Sequence, residues 1–300
     1  QPKMVQERSS DHPSVDVQGA VTCIGLSEID KYASAVLKYR FPNIKNYGDI
    51  KKINWSEVPD FDLLVGGSPC QDLSVAGKRK GLTGERSGLF AEFIRALQEK
   101  KPKYFIWENV KGTLSSNQGW DFAQVQAQMA EAGYSLWWQV LNAKDFGIPQ
   151  NRERIFVIGT RGGSGREVLF ERGEHEKDSS RVSYAIDANY HKGSNTLKKS
   201  RRQLVQRQPL RFLKRNQKNI EGDYAFCLDA SQTSGVRTDE RIRRLTPLEC
   251  ERLMSWPDNW TKYGIIDGEV KEMSDTQRYK MCGNGVVSEV VKEVFKHLIK

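Results

Sequence analysis

A chain of 300 residues with 38% hydrophobic content can bury a sizeable core and make one large domain, or a large and a small one. No apolar run approaches the length of a membrane span, and the first residues, QPKMVQERSSDHP, are polar and unlike a signal peptide. The net charge of +9 is compatible with a merely solvated surface, but its distribution points to a polyanion: Ala188 to Ile220 holds ten Lys or Arg and no Asp or Glu.

Taken in chain order, the apolar runs VTCIGLSEID, FDLLVGGSP, YFIWENV, LWWQVLNA and RIFVIGTR predict buried strands. Helical patterns lie between them. Leu89, Phe90, Phe93, Ile94 and Leu97 recur at helical spacing, and DFAQVQAQMAEAG ends on a glycine stop. Strands alternating with helices imply an α/β fold, with a largely parallel sheet covered on both faces and functional residues at the carboxyl ends of strands. Regular periodicity fades after Arg161, which predicts a small polar, basic second domain over residues 165–244. Residues 1–164 and 245–300 then form the main domain. In RRLTPLECERLMSWPDNW, Thr246 can cap a helix, Pro247 suits its first position and Glu249 can close a capping box. The last helix carries an apolar stripe from Val286 to Ile299, which predicts burial against the main domain.

Five cysteines without close pairing and four scattered histidines argue against a disulfide framework or a zinc site, and fit a reducing compartment. Cys70 is the exception to inert packing. It follows the strand FDLLV, two glycines that permit a sharp turn, and Pro69, in a polar loop with Ser68, Gln71 and Asp72. A thiolate there could attack an electron-poor ring carbon. Glu108, at the polar end of YFIWENV, is either a tied-down structural group or a general acid. Arg152 and Arg154 alternate in QNRERIFVIG and share a face if the strand has begun there, which suits an anion or carbonyl; edge-strand surface charge is the other reading.

In succession, PCQ, ENV and QxRxR resemble the catalytic signature of the DNA (cytosine-5-)-methyltransferases of bacterial and phage restriction-modification systems. SEID, GDI at Gly48–Ile50, ERSGLF, RRLTPLECERLMSWPDNW and GNGVV at Gly283–Val287 agree. The resemblance runs from about Thr22 to the C-terminus and skips the basic segment, which in this family is the variable target-recognition region. It implies a Rossmann-like, S-adenosylmethionine-dependent methyltransferase domain with a smaller target-recognition domain, acting on double-stranded DNA in the bacterial cytoplasm or on the nucleoid, with no membrane partner.

Residue by residue, the resemblance implies that Cys70 adds to carbon 6 of a flipped-out cytosine. Glu108 donates to ring nitrogen 3, Arg154 meets the ring carbonyl, and Arg152 anchors a phosphate or a loop. Glu28 holds the cofactor ribose with Ile29 against the adenine, Asp49 and Ile50 meet the adenine edge, and Pro69, Leu89 and Asn284 complete the pocket. Ser68, Gln71 and Ser74 line or close over the flipped base, and Lys198, Lys199, Arg201 and Arg202 contact DNA. Two departures stand out. The Gly-rich FxGxG loop that wraps the methionine end of the cofactor does not precede SEID, so the start is truncated or rearranged, or a second polypeptide supplies that loop. Gly285 stands where the family often has a small polar residue. Three alternatives remain: cytosine methylation in RNA, against which PCQ argues; a DNA-binding subunit that needs a partner to complete the cofactor site; and an unrelated Rossmann-like protein.

Overall fold

The computed structural model describes residues 21–68, 88–162, 208–211, 220–221, 225–226, 234–237 and 242–299. Its centre is a four-stranded sheet of β1 (Leu63–Gly67), β2 (Tyr104–Val110), β5 (Glu153–Arg161) and β3 (Tyr134–Asn142), in the order β1-β2-β5-β3. β1 pairs parallel to β2, while β5 runs antiparallel to both β2 and β3. The sheet is therefore less parallel than the βα alternation implies, because the short β4 (Gln150–Asn151) and a turn return the chain directly into β5. The carboxyl end of β2 and the amino end of β5 consequently meet at one edge, with Val110 opposite Arg154.

Strand alternation sends side chains to two cores. Phe105 and Trp107 of β2, with Ile155 and Val157 of β5, pack under α2 (Gly88–Lys100) and α3 (Trp120–Glu131). Phe93 meets Phe105, and Phe90 meets Trp107, in edge-on ring contacts. Ile106, Phe156 and Ile158 face the opposite core, built from α4 (Pro247–Leu253) and α6 (Ser288–Ile299) through Leu253, Val290, Val294 and Leu298. The expected burial of the last helix is thus met, although Val286 and Val287 precede it. Thr246 and Glu249 form the expected capping box, with Pro247 in the first turn. α5 (Asp275–Asn284) lies between α4 and α6 in sequence, preceded by a hairpin of β11 (Tyr263–Ile266) and β12 (Glu269–Glu272). Asp267 and Gly268 both take positive φ at its turn.

A second sheet, wholly antiparallel, has the order β10-β9-β6-β7, formed by β6 (Gln208–Arg211), β7 (Ile220–Glu221), β9 (Ser234–Arg237) and β10 (Ile242–Arg244); β8 (Ala225–Phe226) pairs with β4.

The run VTCIGLSEID departs from expectation. It makes no strand of the central sheet. Leu26 forms one isolated parallel bridge to Asn46, and Val21, Ile24 and Ile29 are exposed. A strand forms where a neighbour satisfies its backbone groups. Among the described residues, nothing pairs with β1 on its outer edge, where Val65 is 53% exposed.

Candidate active site

Glu108 stands at the carboxyl end of β2, directly across from Gly67 of β1. Gly67 permits this approach: a Cβ there would lie 2.8 Å from the Glu108 carbonyl oxygen and 3.4 Å from its carboxylate. The chain leaving β1 thus passes against the carboxyl group on its way to Ser68. Asn109, 2% exposed, then holds Ser68, its Nδ2 donating to both the Ser68 carbonyl and Oγ at 3.2 Å. Sequence reasoning saw Asn109 in ENV without giving it a task. The signal was the rule that an amide at the end of a buried strand must find partners. Pro69, Cys70, Gln71 and Ser74 lie outside the described residues, as do Lys198, Lys199, Arg201 and Arg202.

Arg154 Nε lies 3.0 Å from Glu108 Oε1. Burial pushes the Glu108 carboxyl above its usual range, while the positive charges of Arg154 and Arg152 and the hydrogen bond from Arg154 pull it back. The alternation expected of Arg152 and Arg154 would apply only within a strand, and both charges act on Glu108. β5 begins only at Glu153. The buried Arg152 has its Nη2 donating to the carbonyls of Gly283 at 3.2 Å and Gly285 at 2.6 Å. That is the geometry of a loop anchor.

The residues expected to hold the cofactor form a second group. Glu28 N donates to Asn46 Oδ1, and Glu28 Oε1 accepts from Asp30 N at 2.8 Å. Ile29 is apolar yet 74% exposed. Asp49 caps a 3₁₀ turn starting at Ile50, whose carbonyl accepts from Arg95 of α2, the helix that carries Leu89. Asp30 caps α1 (Lys31–Arg40) and accepts from Lys280 Nζ at 2.6 Å, one helical turn before Asn284 on α5. Glu28, Ile29, Asp49, Ile50, Leu89 and Asn284 thus come from segments tied to one another. Sequence reasoning missed Asn46, Asp30 and Lys280, which do the tying. A carboxylate beside a bare apolar side chain fits the sugar and base of a nucleoside. Among the described residues, no cluster of His, Cys, Asp and Glu could hold a metal ion, and no helix is long and apolar enough to cross a membrane.

A buried carboxyl paired with an arginine and a second carboxylate beside a bare apolar side chain thus flank one α/β sheet, an arrangement compatible with a group-transfer enzyme. The chain matches the family model of the C-5 cytosine-specific DNA methylases over residues 14–300, and it belongs to that family. It is 34% identical to the type II methyltransferase M2.ScrFI of Lactococcus lactis subsp. cremoris, the match covering 85% of this chain and 71% of that protein. It is 31% identical to the type II methyltransferase M.Bsp6I of Bacillus sp. (strain RFL6), covering 94% and 92%. Among solved structures, the Entamoeba histolytica methyltransferase EhMeth superposes with a TM-score of 0.65 at 17% identity, covering 92% of this chain and 89% of that one. The S. pombe Dnmt2 methyltransferase reaches 0.63 at 17%, covering 93% and 91%; both likenesses concern the fold. The protein is a DNA (cytosine-5-)-methyltransferase of the restriction-modification type, and its methyl donor is S-adenosylmethionine.

Proposed function

We propose that this chain methylates carbon 5 of a cytosine flipped out of a specific double-stranded DNA sequence, with Cys70 as nucleophile. What carries the reading is the Glu108–Arg154 pair, set against the Gly67–Ser68 segment that leads to Cys70. In this reading the Cys70 thiolate bonds to carbon 6, and electron density moves to carbon 5. Glu108, protonated, hydrogen-bonds ring nitrogen 3 as that atom gains charge, and Arg154 holds the ring carbonyl. Glu28, Ile29, Asp49, Ile50, Leu89 and Asn284 would hold S-adenosylmethionine, which would supply an electrophilic methyl group to carbon 5, its sulfonium sulfur leaving as the neutral thioether. A base then removes the carbon 5 proton, the carbon 6–sulfur bond breaks, and Cys70 leaves as thiolate. Carbon 6 of a stacked base is out of reach of a protein side chain, so the base must leave the helical stack to meet Cys70.

Residues 1–164 and 245–300 are assigned to the catalytic domain and 165–244 to target recognition. The separate antiparallel sheet and the return of Leu245, Cys250 and Leu253 to the main core support that division. The basic residues Lys198, Lys199, Arg201 and Arg202 are assigned to phosphate contact, and the enzyme to the bacterial cytoplasm.

The test is transfer of labelled methyl to cytosine-containing DNA by the parent chain and by Cys70→Ser. Transfer is expected to vanish in the variant while DNA binding persists, and 5-fluorocytosine DNA is expected to trap a covalent complex with the parent alone. Near-normal turnover by Cys70→Ser would sink the assignment.

A second reading is favoured by the outer edge of β1, which has no partner strand among the described residues, and by the exposed Val21, Ile24, Ile29 and Val65. In it the chain is the DNA-binding part of a split methyltransferase, and a second polypeptide supplies the Gly-rich loop. Calorimetry on the 300-residue chain separates the two readings. Weak S-adenosylmethionine binding supports the split; tight, stoichiometric binding with full activity refutes it.

A further inference from the structure

The motif QNRER divides its labour. Gln150 and Arg152 lie just before β5, where Arg152 sits between β4 and the strand proper. Backbone bonds fix this kink: Arg152 N donates to Asn142 Oδ1 at 3.0 Å and to the Gln150 carbonyl at 3.1 Å. Both side chains are buried, Gln150 fully and Arg152 to within 3%. Each crosses to the C-terminal segment. Gln150 Nε2 donates to the Leu253 carbonyl at 2.8 Å and lies 3.8 Å from Met254 Sδ. Arg152 Nη2 spans the carbonyls of Gly283 and Gly285, which flank Asn284.

These contacts meet at one joint. Ser288 N donates to the Met254 carbonyl at 3.0 Å, so the end of α4 and the start of α6 are already tied. Trp256 fills the space beside Gly285, where a Cβ would stand 2.5 Å from its ring. This accounts for glycine at the position where the family often has a small polar residue. The exposed Asn284 is therefore carried on a turn gripped on three sides: by Arg152, by Trp256 and by the last turn of α5 through Gly285 N to the Met281 carbonyl.

We propose that Gln150 and Arg152 are positioning residues that set the Gly283–Gly285 turn and thereby the presentation of Asn284 to S-adenosylmethionine. The inference rests on the reading that Asn284 lines the cofactor pocket. Arg152 acts through one terminal nitrogen, Nη2, that donates to two backbone carbonyls; a lysine ammonium ends one bond short of that position. Arg154 alone of the two arginines then addresses the base.

The test uses the full chain with Arg152→Lys, Gln150→Met and, as reference, Asn284→Ala. Arg152→Lys keeps the positive charge near Glu108 and withdraws the donor from both carbonyls. Dissociation constants are measured for S-adenosylmethionine and for a cytosine-containing duplex, with hydrogen exchange over residues 281–288. Arg152→Lys and Gln150→Met are expected to weaken cofactor binding by about tenfold or more, to leave duplex binding within about twofold, and to speed exchange at Gly285 to Val287. Unchanged cofactor affinity in both, or equal loss of both affinities, overturns the proposal. Should Arg152→Lys not fold, Gln150→Met decides. If Asn284→Ala leaves cofactor affinity intact, the pocket reading itself fails. If it weakens binding while the other two do not, only the clamp fails.

Discussion

Glu108 and Glu28 are both carboxylates at the ends of extended segments, yet the molecule holds them in opposite ways. Glu108 ends a strand paired on both sides and sandwiched between two cores, with Trp107 beside it fully buried. Glu28 follows a single bridge and is held by side-chain bonds from Asn46 and by its own bond to Asp30 N. The difference follows from the work proposed for each. A carboxyl that must be neutral to donate needs desolvation, and only a packed core provides it. A carboxylate that receives sugar hydroxyls needs none, so turns and caps suffice.

The largest expected effect lies on the buried side. Glu108→Ala is expected to lower methyl transfer by about a hundredfold to ten-thousandfold, with Glu108→Gln losing less. A change within a few-fold would make Glu108 structural. The pH dependence follows from its raised value. The contribution of protonated Glu108 to the rate is full at low pH and declines as pH rises through the raised value, whatever limb Cys70 adds on the acid side. Arg154→Met removes a charge that lowers it, so the decline should move to higher pH, whatever the drop in absolute rate. A move to lower pH would show that the profile reports another group. Linkage has the same sign: Glu108 adds stability that is present below the ordinary carboxylate value and lost as pH rises through the raised one.

The next effect tests the segment that braces both arms. Glu251 is wholly buried and pairs with Arg278 at 3.0 Å, while Thr261 donates to Glu251 through its backbone N–H at 2.8 Å and through its hydroxyl. This joins α4, α5 and the turn between them. Glu251→Ala leaves the buried guanidinium uncompensated and is expected to cost about 3–5 kcal/mol in urea unfolding. Replacing both partners by apolar residues should cost less. A loss below about 1 kcal/mol for the single change would mean that water or a neighbour takes over the charge.

The same contrast governs what was legible beforehand. Where burial sets structure, apolar periodicity reveals it: the LLV, YFIWENV and RIFVIG strands, the α2 stripe and the α4 capping box all stand as read. The strand in VTCIGLSEID does not, because its apolar residues have no sheet neighbour among the described residues. The antiparallel turn into β5 also escaped, since pattern does not carry direction. Arg152 and Arg154 were legible as a pair, but their different partners were not, because Arg152 lies before the start of β5. Asn46 and Lys280 carry no pattern at all. Their partners lie at Glu28, Gly48, Ser34 and Asp30, and only the folded chain brings these together.

Asn46 offers the smallest effect and the sharpest contrast. Its Oδ1 accepts from Glu28 N and Gly48 N, each at 3.0 Å, and its Nδ2 donates to the Glu28 carbonyl at 3.0 Å and to Ser34 Oγ at 3.2 Å. One exposed side chain thus ties Glu28 to the loop that leads to Asp49. Water can replace each of these bonds, so Asn46→Ala is expected to cost no more than about 1 kcal/mol of global stability. The loosened segment should nonetheless present Glu28 and Ile29 less well, and S-adenosylmethionine affinity is expected to fall about three- to tenfold. Its counterpart on the packed side is Asn109→Ala, where the buried amide at 2% exposure holds Ser68 and its removal strands polar groups away from water. That change should cost about 1–3 kcal/mol and depress turnover rather than cofactor affinity. Asn46→Ala should leave the pH profile set by Glu108 untouched. Calorimetry, unfolding and a pH–rate series on the two variants decide the matter. Equal losses of stability, or a shifted profile in Asn46→Ala, would mean that the two arms of the site are one cooperative unit and that the division between packed and capped regions has no functional weight.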